Sequence, residues 1–147
     1  MAAGLSLPTE NIDLFRAKLN RQQTLTEKEL TPVTWIDVPM PVSYASKKLV
    51  EQLRVLEPFG KGNEKPVFAD RKLTVRSANM IGNNKNVVKM QLEDTQGHVV
   101  DAIQFKVEEE DMPLRGKEIS IVYYPDINEF RGNQTLQFIV QEWCYTT

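Results

Sequence analysis

The sequence is poor in the residues that most chemistry needs. It has one histidine, His98, and one cysteine, Cys144. A lone cysteine excludes an internal disulfide and fits a reducing cytoplasm. With no His nearby in sequence, Cys144 reads as an ordinary residue near a strand end. Two-metal hydrolysis needs clustered Asp and His ligands, and His98, beside a hairpin turn, reads instead as a surface strand residue. The acidic run Glu108-Glu109-Glu110-Asp111 reads as a solvated helix start. There is no Gly-x-Ser-x-Gly, no phosphate loop and no Cys–His nucleophile spacing. Gly60-Lys61-Gly62 is too short for a dinucleotide fingerprint and follows a helix. No apolar run approaches the ~18 residues that would span a bilayer. The first ten residues lack the basic start and apolar core of a signal peptide. Catalysis by this chain alone, and any metal or cofactor of its own, are therefore not expected.

What is present suits a packed fold: 41% hydrophobic and 26% charged residues in a chain of 147. Residues 2–7 are short and apolar, as a buried strand end would be. Pro8-Thr9-Glu10-Asn11 opens a helix, with Thr9 a candidate cap and Ile12, Leu14, Phe15 and Leu19 its apolar stripe. Residues 33–38 alternate as an edge strand, stopped by Pro39 and Pro41. Ser46 caps a helix over 47–56. The remainder reads as five strands: 68–80, 87–93, 98–106, 118–124 and 135–143. Turns over Gly82–Asn86 and Asp94–Gly97 separate the first three, a short acidic segment the third and fourth, and a loop over 125–132 the last two. Five strands with an insertion after the third is the OB arrangement. Alternation alone also allows an SH3-like barrel or a small sandwich; the long first strand and the insertion favour OB. The class is mainly β with α, a five-stranded barrel preceded by a partial α/β segment.

Net charge is −2, but it is unevenly spread. Residues 58–92 carry seven cations against two acids, while residues 93–147 carry four against eleven. Such asymmetry suits a one-sided anion-binding surface. Single-strand binding needs a cationic groove with stacking side chains, and OB barrels place it over strands 2 and 3 between loops 1-2 and 4-5. That face offers Arg76, Lys89, Gln91 and Lys106. Loop 1-2 offers Lys85 among Asn83, Asn84 and Asn86, and loop 4-5 offers Phe130, Arg131 and Asn133. Taken singly, each is an ordinary exposed residue; their convergence on one face argues for a site. Tyr123, Phe138 and Phe105 read as core.

The stretch Leu56-Glu57-Pro58-Phe59-Gly60-Lys61-Gly62-Asn63, running on to Pro66-Val67-Phe68, forms a fixed corner between helix and barrel. It reads as a structural hinge or as a direct ligand contact through Phe59, Lys61 and Lys65. This stretch resembles the signature that precedes the C-terminal OB-fold of RecJ-type single-strand-specific DNA exonucleases. Met1-Ala2-Ala3-Gly4-Leu5-Ser6-Leu7 is similar to the end of that family's DHHA1 motif, just past its Gly-Gly-His. The stretch from Asn128 to Phe138 is similar to the family's last OB hairpin. The resemblance implies a DHHA1 remnant over 1–40, a linker helix and corner over 41–66, and an OB-fold over 67–147. It further implies a single-stranded-DNA-binding module of a 5′-to-3′ exonuclease of DNA repair and recombination. The DHH domain, which would bind Mn²⁺ or Mg²⁺, is missing, so the module grips without cutting. Its partners would be single-stranded DNA, and a single-strand-binding protein or the missing DHH and DHHA1 domains. The rival reading is a protein-docking OB module without DNA contact, which the acidic half favours.

Overall fold

The computed structural model describes residues 4–146. It divides between Thr34 and Trp35 into two compact units. The first holds helices α1 (Ile12–Gln22), entered through a 3₁₀ turn at Thr9–Asn11, and α2 (Glu27–Leu30). Thr9 therefore lies inside the 3₁₀ turn, and no side chain caps it. Glu29 closes α2 by accepting the backbone N–H and the hydroxyl of Thr26, both at 2.8 Å. Residues 4–7 are not a strand, and Leu5 is exposed; the rest of the expected strand end lies outside the described residues. Among the described residues, this unit buries none of its side chains; Leu14 stays 71% and Leu19 52% exposed. An apolar stripe with no cover of its own gives little local stability. Brief trypsin treatment is therefore expected to cut after Arg16, Arg21 or Lys28 while a fragment beginning at Glu29 persists, as read by mass spectrometry. Persistence of the intact chain would show that the stripe is covered.

The second unit contains six strands: β1 (Val38–Pro39), β2 (Phe68–Ile81), β3 (Val87–Glu93), β4 (Val99–Phe105), β5 (Glu118–Phe130) and β6 (Asn133–Tyr145). β2 pairs antiparallel with β3, β3 with β4, and β5 with β6; β4 and β6 run parallel. The pairing of β2 with β5 joins the ends, so β2-β3-β4-β6-β5 form a ring. β2 serves both neighbours because it is long and bends: its first half pairs with β5 and its second half with β3. Two bulges carry the bend, one between Asp70 and Leu73 and one at Arg76. At the first, Lys72 takes a φ of 60°.

Period-two alternation fills the ring. Leu73 and Val75, then Val88, Met90 and Leu92, then Ile119, Ile121 and Tyr123, point inward and are almost fully buried. Phe68, Tyr123 and Phe138 stack through the centre, with ring centroids 6.0 and 5.2 Å apart. The Tyr123 hydroxyl donates to the Met40 carbonyl at 2.9 Å. Asp70 accepts the N–H of Val42, and Asp37 accepts the N–H of Val67, both at 2.8 Å. These bonds fasten the segment ahead of the barrel, whose Val42 is buried in the core. Of the strand expected over 33–38 only Val38 pairs, together with Pro39, which was expected to stop it, as β1 alongside Phe68 and Ala69 of β2; Trp35 stays 85% exposed.

Helix α3 (Lys47–Leu53) starts as expected, with Ser46 accepting the N–H of Leu49. It tightens into 3₁₀ geometry over Arg54–Leu56. The loop expected over 125–132 is instead strand. β5 and β6 continue as one hairpin past their last pairings with β2 and β4, at Tyr123 and Phe138. At roughly 3.3 Å per residue, this arm reaches about 20 Å beyond the ring. A two-residue turn, Arg131-Gly132, closes it with φ of 50° and 79°, the type I′ geometry that matches strand twist.

Candidate nucleic-acid interface

The outward face of β3 and β4 is set by register. Val87 stands opposite Phe105, Lys89 opposite Ile103 and Gln91 opposite Asp101. On the other side of β3, Ile81, Asn79 and Ser77 of β2 face the same three residues. The Asn86 carbonyl accepts the N–H of Val107 at 3.1 Å, which draws the strand ends together. Lys106, next to Val107, and Lys85, next to Asn86, therefore flank the Val87–Phe105 pair. Phe105 is 53% exposed, so it is not the core residue expected from the sequence. Its parity is that of Asp101, which was the available signal. In β4, Ile103 and Phe105 share the outward parity of Asp101 and Gln104 that of buried Ala102, so hydropathy misleads at Phe105, although Ile103 is itself buried.

The expected residues fall into separate groups. Lys89 and Gln91 share the outward parity of Phe105, and Lys85 and Lys106 stand exposed just past the strand ends that flank it. Arg76 sits at the β2 bulge, and its guanidinium is paired with Glu93 at 3.0 Å. Phe130, Arg131 and Asn133 stand at the tip of the arm. There Arg131 covers the exposed Phe130 ring, 5.1 Å from its centroid. No strand pairing joins the tip to the β3–β4 face.

The corner is built as a clasp. The Asn63 side chain donates to the carbonyls of Leu56 and Pro58, at 2.8 and 2.9 Å. Gly60 and Asn63 exchange backbone bonds, and Gly62 supplies a φ of 86°. The Lys65 ammonium lies 4.1 Å from the Tyr124 ring centroid and 5.6 Å from that of Phe59. Val50, Leu53, Phe59, Lys65, Tyr124 and Pro125 enclose a cavity of about 40 Å³ where α3 meets the arm. Burial, then the charge of Asp126, raises the Tyr124 phenol above its ordinary pKa. Lys61 is exposed on the turn.

His98 is also a turn residue. Its Nδ1 lies 3.0 Å from Asp94, which also accepts the N–H groups of Gln96 and His98. Among the described residues, no three His, Cys, Asp or Glu side chains stand close enough to hold a metal ion. No helix among them is long and apolar enough to cross a membrane.

A five-strand ring in the order β2-β3-β4-β6-β5 has the topology of an OB-fold. A family model described as the RecJ OB domain matches residues 36–142. The chain belongs to that family. It is 35% identical over 144 residues to the single-stranded-DNA-specific exonuclease RecJ of Haemophilus influenzae, an alignment covering 95% of this chain and 25% of the relative. To the RecJ of Bacillus subtilis it is 30% identical, over 97% of this chain and 18% of the relative. The chain thus spans a quarter or less of these curated relatives. The crystal structure of Thermus thermophilus RecJ in complex with Mn²⁺ superposes with a TM-score of 0.67 at 15% identity. That match covers 97% of this chain and 20% of that one, and it shows the same fold.

Proposed function

We propose that the barrel is the single-strand-gripping module of a RecJ-type exonuclease, holding DNA on the outward face of β3 and β4. The observation that carries this reading is an exposed aromatic, Phe105, on β4, with Lys89 on the neighbouring β3 and the exposed Lys85 and Lys106 just past the adjoining strand ends, on the side where OB barrels take single strands. Lysines that hold phosphates as point charges, and a ring on which any base can stack, give binding without sequence preference. Lys106 and Lys85 keep left-handed backbones, with φ of 60° and 45°. Non-glycine residues hold such geometry at a cost, and the cost concentrates at functional sites. The relatives' names supply the substrate, single-stranded DNA. On this reading residues 1–40 end the preceding DHHA1 domain, residues 41–66 link, and the protein works in the cytoplasm in repair and recombination. Metal chemistry with Mn²⁺ or Mg²⁺ belongs to the DHH domain.

The test is a titration of the chain with labelled oligothymidylate over a range of salt. Three or four phosphate contacts give a slope of log affinity against log salt of about −2 to −3. A labelled strand left with the pure chain and Mn²⁺ is expected to stay intact, and metal-dependent shortening that co-purifies with the chain would refute the grip-only role.

A second reading, docking of a protein such as a single-strand-binding protein, is favoured by a different groove. Glu110, Asp111, Met112, Glu142, Trp143 and Tyr145 line it, with the Trp143 and Tyr145 rings edge to face. Absence of DNA binding even at low salt would favour this reading.

A further inference from the structure

We infer that the single-strand track does not stop at the β3–β4 face but continues over β2 into the groove beneath Arg115, where the sugar-phosphate backbone is held. The inference rests on the proposed DNA-binding role and extends it to a residue outside the expected site. The groove, about 520 Å³, is lined by Thr74, Arg76, Ser77, Gln91, Arg115 and Gly116 around the buried Val75, with no acid in its lining. It is continuous with the proposed face. Gln91 belongs to both, and the Ser77–Gln91 pair sits beside Asn79–Lys89 in the same ladder.

The turn that presents Arg115 is fixed to β2. The Gly116 N–H donates to the Val75 carbonyl at 2.7 Å, and the Val75 N–H donates to the Lys117 carbonyl at 3.0 Å. Gly116 allows this with a φ of 80°, and a Cβ there would meet open space. Arg115 is therefore held over the groove by backbone bonds on both sides of Gly116.

The two arginines differ in readiness. Arg76 is occupied by Glu93, so a phosphate must compete for it. Arg115 makes no ion pair among the described residues, and its planar fork can take a phosphate with two parallel bonds. Two acids stand opposite Thr74 in the ladders, Glu93 and Glu118; Glu93 is held by Arg76, and neither is in the lining. Thr74, Ser77 and Gln91 offer hydroxyls and an amide, which suit sugar and phosphate oxygens. With no aromatic in the lining, the groove gives length-dependent grip and no base stacking.

Fluorescence anisotropy with oligothymidylates of about 4 and about 12 nucleotides, both within OB site sizes, tests the extension. Arg115→Ala is expected to weaken the longer strand about fivefold at 0.1 M salt and to flatten its slope by about 0.7. The shorter strand, satisfied by the β3–β4 face, keeps its wild-type affinity. Arg115→Gln, which retains a polar side chain, should behave as the alanine variant, and unchanged thermal melting controls for the fold. Wild-type affinity of both variants for the longer strand would overturn the inference, as would equal weakening of both lengths. If Lys85→Ala/Lys89→Ala weakens binding while Arg115→Ala does not, the extension fails and the proposed face stands. If the wild-type chain binds neither strand, both fail together.

Discussion

Replacing Lys85 and Lys89 together by Ala is expected to weaken binding of a strand of about 12 nucleotides roughly 25-fold at 0.1 M salt. Each phosphate contact on a single strand contributes about 0.7 to the salt exponent, so two contacts account for about 1.4 decades at that concentration. The slope should flatten by the same ~1.4, and all sequences should lose affinity alike. The fold is expected to survive. Lys89 points outward between buried Val88 and Met90, and Lys85 occupies a turn. Replacing Lys85 by Ala leaves the left-handed strain in place, so any stability change is small. Lys48, exposed on α3, is the matching control, and its loss should cost little. Lys47 would be a poor control, because its ammonium bonds the Gln134 carbonyl on the arm. Equal losses from the Lys48 variant and the double variant would remove the β3–β4 face as the site.

Truncating Tyr123 to Ala is expected to destabilise the barrel by about 3–5 kcal/mol, the usual cost of a lost buried aromatic. The ring is fully buried between Phe68 and Phe138. Denaturant melts of the Ala and Phe variants check this. Phe keeps the packing but leaves the half-buried Met40 carbonyl without its donor, for about 1 kcal/mol. The pH dependence separates the two effects. Burial, with the charge of Asp70 nearby, pushes the Tyr123 phenol well above its ordinary value. A raised folded pKa means that the stabilisation is complete below the unfolded value of about 10 and is lost as pH rises above it, at up to about 1.4 kcal/mol per pH unit. Tyr123→Phe should flatten that alkaline decline, leaving the smaller part due to Tyr124. An unchanged decline would mean that the Tyr123 phenol titrates alike in the folded and unfolded chain.

The ring itself was legible. β2, β3 and the start of β5 alternate cleanly between buried aliphatic and exposed polar residues, and Gly82 and Gly97 mark the turns between strands. The arm was not, because Pro125 and the polar run after it read as a loop. Past Tyr123, however, β5 has a partner on one side only. A proline there forfeits no ladder bond to β2, so the strand continues with Pro125 buried opposite Phe138. The three site lysines were legible because they interrupt apolar alternation or occupy turns. The ion pair of Arg76 was not, since it joins a bulge on β2 to the end of β3, and local sequence does not reveal a bulge. Arg115 is not legible either: its place beside Gln91 in the groove depends on two backbone bonds between its turn and Val75.

The parallel position of β6 between β4 and β5 sets the order of assembly during synthesis. The ring is sealed by its last strand, so β2, β3 and β4 emerge from the ribosome first, as an open sheet whose β4 edge waits for residues 138–140. Until then Ile103 and the backbone groups beside it stand unpaired, the kind of edge that invites association with another chain. The pairings that finish the barrel span long sequence distances, which slows closure. Nascent chains stalled before residue 138 should therefore be the species most dependent on chaperones.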